Sequence, residues 1–186
     1  MEQTGCLRVS PALYFYVTTR RTLLRAGLDE RTVTDYIASI LVAFSDRSRL
    51  AAQCDRHRLP REIDASHPYL SDLLALLAKA TPEQAYWIRT HIADYSLFVS
   101  GLFAERVRAR CERNGAPDLS FYENMGRSNY QVASRHRLAQ DGPLRTVYER
   151  ISSEFHGIRL ALNTMAENIL HLSDPPVPLI LHDPAG

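Results

Sequence analysis

A chain of 186 residues, 45% hydrophobic and 23% charged, can bury one continuous core, and this composition excludes a disordered polypeptide. Its formal net charge of +1 excludes a whole-molecule field drawing in nucleic acid or an anionic membrane, so any such contact must come from a local patch. Three widely spaced cysteines, Cys6, Cys54 and Cys111, form no Cys-x-x-Cys pair, which argues against a disulfide framework or a cysteine-rich zinc site and for a reducing compartment.

In chain order, Ser10-Pro11 opens a first helix, with serine as cap and proline at the first turn, and Gly27 ends it. A second helix starts after Asp29, where Val33, Ile37, Ile40, Leu41 and Phe44 recur at helical spacing. From Ser45 to Ser66 the pattern weakens, which predicts a short helix and a surface connection broken at Pro60. A third firm helix carries Leu70, Leu73, Leu74 and Leu77 on one face and stops before Thr81.

Thr81-Pro82-Glu83-Gln84 reads as a reciprocal capping box. The helix that it opens meets no strong breaker until Asn114-Gly115, so one rod near residues 82–113 is expected, with Gly101 as its bend. Ser120 to Glu123 reads as a second capping box, starting a helix that should reach about Ala139 before Gly142-Pro143. The last helix shows Val147, Ile151, Phe155, Ile158, Leu162, Met165 and Ile169 by threes and fours and ends near Asp174.

No alternating strand pattern, internal repeat or glycine-rich phosphate loop competes with these elements. The expected fold is all-α, an irregular bundle of about six helices over residues 1–174, followed by a proline-rich apolar tail at 175–186. No run approaches the ~20 apolar residues of a membrane span, and Met1 to Ser10 lacks the basic and apolar regions of a signal peptide, so no membrane partner and a cytoplasmic location are expected.

With no family-specific motif to read, the informative residues are polar side chains that fall inside apolar stripes. Arg20 lies between Leu13, Val17 and Leu24. His91 falls among Trp87, Ile88, Tyr95 and Phe98, with Asp94 at the margin. Asn129 and His136 share the side of Phe121, Met125 and Val132, and Glu154 projects between Ile151 and Ile158.

Buried ions are costly unless paired, so these groups must meet each other or a ligand. One reading is a structural network with an internal Arg20–Glu154 pair. A second is a bundle pocket for a small anionic ligand, formed by Arg20, His91, Tyr95, Asn129, His136 and Glu154, with Arg20 or Arg89 holding the anion and Tyr14 and Tyr122 in its walls. A third joins His91, His136 and Glu154 as the two-histidine, one-carboxylate set of a metal-dependent enzyme of the non-haem iron type. A ferritin-like centre lacks the necessary glutamates.

Arg106, Arg110 and Arg113 continue the long helix as a basic stripe able to meet an anion, while Arg56 to Arg61 and Arg135-His136-Arg137 form further basic clusters. None is interleaved with aromatics, which argues against nucleic acid. Ala93, Ser96, Ser100 and Ala104 make a line of small residues suited to close packing within the bundle or across a homodimer. The leading functional expectation is a non-catalytic helical binding protein, homodimeric, with a polar-lined interior for a small anion. The metal-dependent enzyme is the alternative.

Overall fold

The computed structural model describes residues 10–45 and 70–173, and every regular element within them is an α-helix. These are α1 (Pro11–Arg25), α2 (Arg31–Ser45), α3 (Leu70–Leu77), α4 (Pro82–Leu102), α5 (Ala104–Asn114), α6 (Leu119–Ser134), α7 (Arg137–Gln140), α8 (Leu144–Ser153) and α9 (Phe155–Ser173). The all-α expectation holds, but about six helices become nine among the described residues, because three expected helices are divided. The connection at Pro60, the Arg56, His57, Arg58 and Arg61 cluster, Cys54, His67 and the tail at 175–186 lie outside the described residues.

Local chemistry sets the helix starts. Ser10 Oγ accepts from Leu13 N at 3.2 Å, and Thr81 and Gln84 exchange both bonds of a capping box, at 3.3 and 3.0 Å. The next predicted box gives way to a stronger cap: Asp118, not Ser120, accepts from Phe121 N at 2.8 Å, so α6 begins at Leu119. Gly27 (φ +83) follows α1, and Gly115 (φ +62) ends α5, both in the left-handed region that glycine adopts without strain.

Helix α4 is the axis of the packing, touching α6 most extensively and also α9, α3, α2 and α5. It is therefore buried on nearly all sides, including Tyr86, Ile88, His91, Ala93, Asp94, Ser96, Leu97 and Ser100. The small-residue line of Ala93, Ser96, Ser100 and Ala104 is buried within this chain. Val33, Ile37, Ile40 and Leu41 of α2 enter the same core, while α3 seats Leu73 against Ile88 and Ile92 in a smaller cluster.

The long rod breaks at Phe103, two residues beyond the expected bend. Asn163 on α9 donates its amide to Ser100 O at 3.1 Å and to Gly101 O. It thereby occupies carbonyls that would have bonded the next helical turn. Gly101 serves a different purpose, because a Cβ there would stand 2.9 Å from Leu162 Cδ1.

The last helix is interrupted at Glu154, yet its stripe survives, since Val147, Ile151, Phe155, Ile158, Leu162 and Met165 are all buried. Just past the break, Phe155 lies over Gly126 of α6, where any Cβ would fall far inside contact distance of the ring. The Ser120-region helix stops at Ser134 rather than Ala139, because His136 Nδ1 accepts from Leu138 N at 3.3 Å and caps the short α7.

Helix α1 corrects the sequence reading most. The row taken as inward faces out: Leu13 is 53% exposed, Val17 54% and Leu24 42%. Thr19 and Leu23 are fully buried instead, and Phe15 packs on the core. Three aliphatics on one side outweigh a leucine, a phenylalanine and a threonine on the other in a hydrophobic count, so periodicity chose the wrong face.

Candidate functional site

The interior polar centre is built around Asp94. Its Oδ1 accepts from Tyr130 Oη at 2.6 Å and Tyr36 Oη at 2.8 Å, joining α4 to α6 and α2. Tyr148 of α8 packs on both partners, with ring centroids 5.4 Å from each, and its hydroxyl lies 3.5 Å from that of Tyr86. Burial pushes the Asp94 carboxyl up to about 7, and the two tyrosine hydrogen bonds pull partly against it. Burial also raises the hydroxyls of Tyr36, Tyr130 and Tyr148, with the Asp94 charge adding to each.

One turn earlier, His91 is buried in a different setting. Its ring stacks on Phe44 at 5.5 Å, and its Nε2 has no hydrogen-bond partner. Desolvation lowers its pKa to about 4, so the imidazole is neutral at ordinary pH. Tyr95 stands half-buried beside the same Phe44, at 6.2 Å.

The other expected site residues go elsewhere. Arg20 pairs with Asp29 at the surface and not with Glu154. Glu154, turned outward at the helix break, is 42% exposed and pairs with Arg150 at 3.2 Å, while Arg150 Nε also lies 2.6 Å from Glu30. Asn129 is buried and accepts from Arg89 Nη1 at 3.0 Å, an interhelical tie that engages the arginine expected to hold an anion. His136 stacks on Tyr86 at 4.9 Å.

His91, His136 and Glu154 thus occupy three separate settings, and among the described residues no three His, Cys, Asp or Glu side chains group to hold a metal ion. Asn129, expected beside His136, bonds Arg89 and Met125 O instead. Val132, placed on their inner face, is 44% exposed. Arg106, Arg110 and Arg113 remain exposed on α5, with Arg106 over the Phe103 ring at 5.4 Å and Arg113 Nε bonding Ala109 O.

A polar groove of about 800 Å³ lies between α6 and α8. Arg127 and Arg135 line it with Asn124, Gln131, Ser128, Ser134, Ser152, Ser153 and Glu149, over Met125. Glu149 is paired to Arg145 at 3.0 Å. Among the described residues neither the Arg127 nor the Arg135 guanidinium is engaged, whereas the serine hydroxyls already donate: Ser128 to Met125 O, Ser134 to Gln131 O, Ser152 to Arg127 O and Ser153 to Arg150 O. The groove therefore offers two free cations and a set of hydroxyl acceptors.

Sequence reasoning passed over both the tyrosine centre and this groove. Tyr86, Thr90, Asp94 and Leu97 follow one helical row, a signal that was present but competed with the row through His91 on a helix buried all round. Comparison with protein-family models, curated proteins and solved structures returns no match for this chain.

Proposed function

We propose that the chain is a non-catalytic binding protein that holds a small oxyanion-bearing molecule in the groove between α6 and α8. The observation that carries this reading is the pair of unengaged guanidiniums, Arg127 and Arg135, on one groove wall. Eight residues apart, with Arg135 at the C-cap of α6 and still in helical conformation, their Cα atoms are separated by about 12 Å, which two long arginine side chains can span from either end of a ligand. Planar guanidiniums suit carboxylate and phosphate oxygens, and the serine oxygens suit hydroxyl or amino groups on the same molecule.

A binding role fits better than catalysis because the ionisable groups with the most displaced pKa values are elsewhere. Asp94 and His91 lie in the interior and line no part of the groove, so neither offers a poised acid or base to a molecule held there. The groove itself presents no activated nucleophile, since each serine hydroxyl is spent on a backbone carbonyl.

Titration calorimetry with inorganic phosphate and with citrate tests the reading. Saturable binding at one site is expected, abolished in an Arg127→Glu/Arg135→Glu double variant that keeps the parent melting temperature. Absence of binding by both probes, or binding undiminished in the double variant, removes the groove as the site.

A further inference from the structure

Helix α1 presents an apolar row to solvent that packs against no other described helix. Leu13, Val17 and Leu24 lie within about 40° of one another on the helix, at 100° per residue, and Tyr14 borders them at 41% exposure. Over its 15 residues α1 has no acidic side chain, and Arg21 and Arg25 are exposed on the flank of the row while the Arg20 head is drawn aside to Asp29. The inner side of the helix is already occupied, with Leu23 and Thr19 buried and Thr19 reaching Met165 of α9. The cleft of about 400 Å³ beside α1 opens at Thr22, Arg25 and Ala26, so Arg25 stands between it and the row, and the row itself, on the outer curve of the helix, is convex.

We infer that this face of α1 docks on an anionic lipid surface, lying in its plane with Leu13, Val17 and Leu24 dipping below the headgroups. The combination of a narrow aliphatic row, a bordering tyrosine and cations with no acidic neighbour on the helix is what an in-plane amphipathic helix uses. Tyr14 places a ring that is apolar at its body and polar at its tip where the interface changes character. The arginines stand high enough on the flank to meet phosphate and carboxylate headgroups.

A second copy fits less well. The row exposes an area on the order of a few hundred Å², below the ~800 Å² per partner of a stable interface. A convex row also gives an acidic helix from another protein no groove to enter. No helix among the described residues is long and apolar enough to cross a membrane, and contact in the membrane plane needs none.

Co-sedimentation of the full chain with vesicles tests the inference, comparing pure phosphatidylcholine with phosphatidylcholine containing about a third phosphatidylserine. Binding to the anionic vesicles alone is expected, weakening steeply between low and physiological salt. Two variants at exposed positions, Leu13→Ser/Val17→Ser and Arg21→Glu/Arg25→Glu, should each reduce it about tenfold or more while keeping the parent circular dichroism and melting temperature. The Arg127→Glu/Arg135→Glu variant should bind vesicles like the parent, which separates this surface from the proposed groove. No binding to anionic vesicles, binding that survives both α1 variants, or a dimer in light scattering that Val17→Ser dissociates would each overturn the inference, the last by giving the row to a second copy.

Discussion

Asp94 and His91 stand one turn apart on α4 and are buried in opposite ways. Asp94 faces α2, α6 and α8, where Tyr36 and Tyr130 both donate to it and Tyr148 and Tyr86 continue the polar contacts. His91 faces Phe44, with a ring nitrogen that meets no partner. The difference shows what each group needs once dry. A carboxylate that ionises inside must have donors, whereas an imidazole escapes the cost by staying neutral.

The two also bind protons in opposite directions on folding. Asp94 is raised from 3.8 to about 7, so the folded state holds a proton that the unfolded chain releases, and its contribution to stability is lost as pH rises through that range. His91 is lowered from 6.5 to about 4, so the unfolded chain takes up the extra proton, and its contribution is lost as pH falls through that range. Between about pH 4 and 6.5 the two slopes oppose and nearly cancel, each being about 1.4 kcal/mol per pH unit.

The strongest way to break the contrast is Gly126→Val. It would drive Phe155 out from beside Tyr130, whose rings are 6.4 Å apart, and so open the tyrosine side while leaving the Phe44 side untouched. Because even a Cβ does not fit, the loss should exceed the usual ~1–3 kcal/mol of overpacking, and urea denaturation should find the variant largely unfolded or much weakened. A melt matching the parent would mean that Phe155 does not occupy that seat.

His91→Phe should sharpen the contrast by leaving Asp94 alone. Stability would then fall by about 3 kcal/mol from pH 4 to 7, read from denaturation midpoints at several pH values. Asp94→Asn should do the reverse, so that stability rises by about 3 kcal/mol from pH 4 to 6.5 with His91 alone. A flat profile in either variant would show that the partner group is not the one titrating. Smallest is Tyr148→Phe, which deletes the long 3.5 Å contact with Tyr86 and the hydroxyl's hydrogen bond with Tyr36 and should lower stability by about 1 kcal/mol at every pH.

The sequence was most readable where structure is decided locally. Ser10 and Thr81 cap the helices that they were expected to cap, and the rows through Val33 and Val147 do point inward. The break at Phe103 was anticipated at Gly101, two residues early, and its exact place goes with Asn163, some sixty positions away. The break at Glu154 carries no local breaker and lies beside the meeting of Phe155 and Gly126, so it could not be read from its own window.

The polar residues follow the same division. His91 and Asn129 were placed inside by helical phase, and they are inside. Arg20, His136 and Glu154 were placed there by extending rows that the fold flips, shortens or interrupts. The phase of a helix buried on one side is legible, but α4 is wrapped on nearly every side, so no stripe could single out Asp94 over its neighbours.

The amide of Asn163 has a reach beyond its own helix. Were the carbonyls of residues 100 and 101 free, α4 and α5 could continue as one straight shaft from Pro82 to Asn114, roughly 50 Å long at 1.5 Å per residue. The heading of Arg106, Arg110 and Arg113 is thus held in part by a neutral side chain on α9, and replacing it with leucine would strip two carbonyls at the break of their donor without altering one charge.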